Sequence, residues 1–99
     1  MAIRIRRSSG NVFKDLGFPA EEAAHLLIRA DLMIQLESIL KTRRLTQAKA
    51  AKLLGVSQPR VSDLVRGRID LFSIDTLVDM LARLGVSVSL RTKRSRRVA

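Results

Sequence analysis

The sequence predicts an all-α domain of about five helices with a short strand near the C-terminus. Three observations carry that prediction. Apolar residues recur at helical spacing in the segments after Ala20, Thr46, Ser57 and Ser73. Gly55 and Gly67 separate the last three of those segments. Thr or Ser heads three of them, where a side-chain oxygen can cap free backbone N–H groups. Val86–Arg91 alternates apolar with polar residues, as a strand does.

Along the chain, Ile3 and Ile5 alternate with Arg4 and Arg6, a pattern open to a short strand or a basic arm. The run "SSGN" reads as a loop, and Val12–Leu16 as one helical turn stopped by Gly17 and Pro19. From Ala20 to about Arg43 there is neither Gly nor Pro, and Glu21 and Glu22 suit a helix start. The apolar residues of that helix (Ala23, Leu26, Leu27, Ala30, Met33, Ile34, Leu36, Ile39, Leu40) cover more than one stripe. Such a helix must bury two faces, and in so small a chain one of them is expected to meet another subunit.

Thr46 is the expected N-cap of a helix over 47–54, with Gly55 making a sharp turn after it. Ser57 caps the next helix and Pro59 lies in its first turn, where a missing N–H costs nothing. That helix ends near Arg66, with Gly67 as its stop. Ser73 caps a helix from about Ile74 to Leu84, which Gly85 terminates. The strand at 86–91 cannot stand alone. It needs the Ile3–Ile5 segment, a symmetry mate or another protein. The organisation expected is a basic arm over 1–10, one domain over 11–90 containing a two-helix unit at 45–67, and a basic tail over 91–99.

The formal charge of +10 is unevenly spread. Residues 41–68 hold Lys41, Arg43, Arg44, Lys49, Lys52, Arg60, Arg66 and Arg68 against Asp63 alone, and the two ends are basic, whereas 11–40 and 69–90 are net acidic. Clustered cations of this kind point to a polyanion partner. The chain has no Trp or Tyr, and so no stacking platform for single-stranded nucleic acid. No Cys means no disulfide and no thiolate zinc site, as a reducing cytoplasm tolerates. His25 is the sole His, so no metal or other cofactor is expected, and Met33 and Met80 read as core filler. No secretory leader or membrane span is legible, so a cytoplasmic location is expected. Catalysis is not expected either. There is no Ser–His–Asp or Cys–His set and no phosphate-cradling glycine loop, and Asp70, Asp75 and Asp79 are spaced for a solvated helix face.

In "LTQAKAAKLLGVSQPRVSDLVRG", Ala51 permits close helix approach, Gly55 makes the turn, and Val56, Val61 and Leu64 wedge the unit onto the core. Gln58, Pro59, Arg60, Ser62, Asp63 and Arg66 are then free to face outward. A helix fits the major groove of duplex DNA, and its N-terminal residues reach base edges. Gln58, Pro59, Arg60, Ser62 and Asp63 are therefore the expected base-reading set. Asp63 could accept from a cytosine amino group or pair with Arg60, and the i,i+3 spacing favours the pair. Thr46, Gln47, Lys49, Arg43, Arg44, Arg66 and Arg68 are expected to face phosphates or brace the readers.

This segment resembles the Cro/C1 (XRE) helix-turn-helix family, with Gln47 opening its first helix and Gln58 its second. The resemblance implies a lambda-repressor-like domain in which Gln58 bonds an adenine edge while Gln47 braces it and touches a phosphate. The flanking stretches "GNVFKDLGFPAEEAAHLL" and "IDLFSIDTLVDMLARLGVSVSL" are similar to short regulators of the HigA type, which act as antitoxins beside RelE/HigB-type toxins. A homodimeric repressor of its own operon, acting as the antitoxin of a toxin–antitoxin pair, is the implied role. Two other roles compete with it. One is a module that masks a toxin through the spare face of helix 20–43 or the 86–91 strand. The other is a charge-driven binder with steep salt dependence and no sequence preference. With no second domain for an effector, regulation is expected to come from a partner or from degradation.

Overall fold

The computed structural model describes residues 2–5 and 12–94. The expected "SSGN" loop, the Arg6–Gly10 part of the basic arm and the last five residues of the basic tail lie outside the described residues. The element order is β1 (Ala2–Ile5), α1 (Val12–Asp15), α2 (Ala20–Thr42), α3 (Gln47–Leu54), α4 (Gln58–Val65), a 3-10 turn (Ile69–Leu71), α5 (Ile74–Arg83) and β2 (Ser87–Leu90). Five α-helices, four of which (α2–α5) share one core, give the all-α class that the sequence predicts.

The long helix α2 is the spine. Its 23 residues run about 34 Å at the usual helical rise. Helices α1, α4 and α5, the 3-10 turn and β1 all pack against it. The breadth of its apolar surface is therefore largely explained within the chain: Ala23, Leu26, Leu32, Met33, Leu36, Ile39 and Leu40 are buried. Ile34 is the large apolar residue of α2 left open, at 62% exposure. The core centres on Leu32, Leu36, Leu54, Val61, Leu64, Phe72, Leu77, Leu81 and Val86. Asp31, on α2, is half-buried with Oδ2 lacking a hydrogen-bond partner, and burial holds its carboxyl above the ordinary carboxylate range.

Local chemistry sets the ends of the shorter helices. Thr46, Ser57 and Ser73 accept hydrogen bonds from the backbone N–H groups of Lys49, Arg60 and Thr76 at 3.1, 3.3 and 3.1 Å. At the other end of α3, the Gly55 N–H donates to Lys52 O and the Val56 N–H to Ala51 O. This paired closure requires a left-handed residue, and Gly55 stands at φ +69°. Helix α2 closes in the same way, Arg44 N–H to Lys41 O and Leu45 N–H to Leu40 O. Its left-handed residue, at φ 53°, is Arg44, and it is the one described non-glycine residue with positive φ. A side chain there costs about 1–2 kcal/mol relative to the ordinary helical region.

The strand expected near the C-terminus pairs with Ala2–Ile5, the first of the three partners open to it. The pair is parallel, with Ala2 opposite Ser87 and Ile5 opposite Leu90. Four residues of the expected basic arm are thus strand, while Arg91–Arg94 carries no regular structure. The 3-10 turn at Ile69–Leu71 has no counterpart in the sequence reading. No described helix is long and apolar enough to cross a membrane.

Candidate nucleic-acid interface

The interface is built on α4. Val61 and Leu64, each 1% exposed, anchor one side of this eight-residue helix in the core. The Ser57 cap and Pro59 fix where it begins. Gln58 and Pro59 at its N-terminal end are exposed and Ser62, one turn on, is half-buried. These three residues share one shallow, open depression with Gln47 from the start of α3. The two glutamines, eleven positions apart in sequence, are thereby placed side by side at a helix N-terminus. Amide side chains, two donors and an acceptor each, are suited to base edges.

The flank of α4 departs from the sequence reading. Arg60, expected among the base readers, is drawn away from the open face. Its guanidinium carbon lies 4.1 Å from the ring centroid of buried Phe72, and its Nη1 donates to Leu71 O at 2.7 Å. A cation over an aromatic face that also satisfies a loop carbonyl gains from both contacts. Asp63 does not pair with Arg60. It accepts from Arg66 Nη2 at 2.8 Å, three residues towards the helix C-terminus, where a cation also meets the negative end of the helix dipole. Arg60 is already committed to Phe72, so Arg66 is the cation within reach.

The residues expected at phosphates divide in two. Thr46, Gln47, Lys49 and Arg44 are exposed around the start of α3, with Lys52 exposed farther along it. Thr46 serves first as the α3 cap. Arg43 turns inward instead: its Nη2 donates to Leu84 O at 2.9 Å and so satisfies a carbonyl at the end of α5. Arg66 is held by Asp63, and Arg68 stands 3.7 Å from Asp70, an exposed and loose ion pair.

Arg83 of α5, which the sequence did not single out, reaches back to the turn. A Cβ built on Gly55 would lie 2.8 Å from Arg83 Nη1. The α3–α4 turn is therefore covered by a guanidinium from a distant helix. No local pattern announces this, because the contact spans 28 positions.

Residues 12–93 match a family described as a helix-turn-helix domain. The chain belongs to that family. The helix-turn-helix chain is also similar to a solved structure described as an XRE family transcriptional regulator, with a TM-score of 0.70 and 29% sequence identity. That likeness covers 79% of this chain and 88% of the other. Comparison with curated proteins finds no match.

Proposed function

We propose that this helix-turn-helix chain is a sequence-specific double-stranded DNA-binding regulator that acts as a homodimer and represses transcription. The observation that carries this reading is the open face shared by Gln47, Gln58, Pro59 and Ser62, on a helix whose opposite side is locked into the core. The XRE description of the similar structure supports the regulatory role. Helix α4 enters the major groove by its N-terminal end. Gln58, Pro59 and Ser62 read base edges, while Thr46, Gln47, Arg44, Lys49 and Lys52 face phosphates and brace the readers. Arg66 and Arg68 join the phosphate set only when their acidic partners give way to the stronger field of DNA. One helix reaches few base pairs, so the specific unit is a pair of helices set about 34 Å apart along the duplex.

Selection of bound duplexes from a random pool at near-physiological salt tests the reading, and a palindrome with half-sites about one helical turn apart is the expected outcome. On the selected site, Gln58→Ala is expected to cost about 1–3 kcal/mol, with far less lost on random DNA. Equal losses on both would remove the base-reading role.

A second reading is toxin neutralisation, as in an autoregulated antitoxin operon. It draws support from Val12, Leu16 and Phe18, which leave an apolar surface open around α1, with exposures of 56%, 70% and 39%. Salt-sensitive binding without any consensus would move the leading function to that surface.

A further inference from the structure

We propose that the helix-turn-helix domain carries its own effector site, a groove that takes a small amphipathic carboxylate. The groove lies between the end of α2, the start of α3 and the outer turn of α4, with a cavity volume of about 440 Å³. That is within the range of small-molecule sites, ~300–1,000 Å³. Its walls are apolar: Leu40, Leu45, Ala50, Val61 and Val65. Its rim carries Lys41 and Arg44 against Glu37 alone. Lys41 stands 3.8 Å from Glu37, too far for a tight pair, and its side chain is 80% exposed. Arg44 has no side-chain partner among the described residues, and it occupies the left-handed position that glycine fills at the end of α3. A free cation at a strained backbone position, at the mouth of an apolar groove, points to an anionic head held there. The ligand class follows from that geometry: a carboxylate at Lys41 and Arg44, with an unbranched chain lying on Leu45 and Val65 above the buried Leu40 and Val61.

Occupancy is coupled to the DNA face by shared residues. Gln47 lines both the groove and the base-reading depression, and the groove touches α3 and α4 together. A bound carboxylate occupies the cations that otherwise meet a phosphate and fills the space between α2 and α4. The ligand therefore lowers DNA affinity. This coupling rests on the DNA-binding reading, whereas the site itself does not.

Decanoate is the probe, titrated into the full chain and followed by amide chemical shifts without DNA. Saturable shifts confined to the groove residues are expected, with decanol binding far more weakly. Arg44→Gly removes the cation at a position that suits glycine, so the fold is kept, and it is expected to raise the half-saturation concentration about tenfold. Val65→Glu, a change at a half-open site, is expected to do the same. The site is overturned if decanol matches decanoate, if the shifts spread over the basic surface, or if both variants bind as the parent does. It is equally overturned if the same amides shift with protein concentration alone, because a second copy then covers the groove. A parallel titration on the selected duplex reads the coupling: decanoate is expected to weaken DNA binding, and unchanged affinity despite groove occupancy would overturn the regulatory half alone.

Discussion

Helix α2 and the helix-turn-helix unit mounted on it differ in how their ends are fixed. Helix α2 has no side-chain cap, begins after Pro19 and ends at a strained Arg44, yet it buries seven residues along 23. Helices α3 and α4 have eight residues each, far below the length at which a helix is stable alone, and bury three and two. Each of them has a side-chain cap and a left-handed glycine just past its end. All three bury a comparable share of their residues, and the short ones add side-chain caps that the long helix lacks. On the proposed base-reading role, the Thr46 and Ser57 caps fix where Gln47 and Gln58 stand at the starts of their helices.

Substitutions can break or sharpen that contrast. The largest effect is expected at the centre of α2. Leu36→Ala, at a fully buried site, should cost about 3–4 kcal/mol in denaturant unfolding, and a loss below about 1 kcal/mol would mean the spine is not held by burial. Next come the two left-handed positions, where opposite signs are expected. Gly55→Ala should destabilise by about 1–2 kcal/mol, mostly through the backbone, since the Arg83 guanidinium near it can shift. Arg44→Gly should stabilise by about 0.5 kcal/mol, and matching signs in thermal unfolding would refute the strain assigned to α2.

The smallest effect is expected at Asp31. Burial raises its folded carboxyl above the ordinary range, so the folded chain holds that proton more tightly than the unfolded one. The associated stability is present at acid pH and is lost as pH rises from the ordinary carboxylate range through the raised value. Asp31→Asn should flatten that limb of the stability–pH curve and raise Tm at pH 7 by less than about 3 °C. A lowered Tm at pH 7 would show that the charge has a favourable role.

The same contrast explains what was legible in the sequence. Thr46, Ser57, Ser73, Gly55 and Pro59 act on backbone groups within a few positions, so the limits of α3 and α4 follow from adjacent residues. Gln58 as an outward-facing residue followed from the helical pattern, whereas its pairing with Gln47 came only from the resemblance to the Cro/C1 family. The destinations of the arginines were not. Arg60 finds Phe72 twelve positions on, Arg43 finds Leu84, and Arg83 finds Gly55. A long cation reaches whichever acceptor the tertiary fold presents, and helical spacing says nothing of that acceptor. The partner of β2 was legible only as a choice of three, because a four-residue alternating segment pairs equally well with any free edge.

That parallel pair has a consequence for the order of folding. It joins Ile5 to Leu90, closing a loop of nearly the whole chain, while α3, α4 and their turn form from contacts a few residues apart. Loop-closure entropy makes such a clasp a late event in folding. A two-stranded sheet is marginal by itself, so it is also an early one in unfolding. Strand β1 packs on α2 and β2, and β2 on α5, away from the open face of α4. Amide exchange is therefore expected to be faster in the clasp than in α3 and α4.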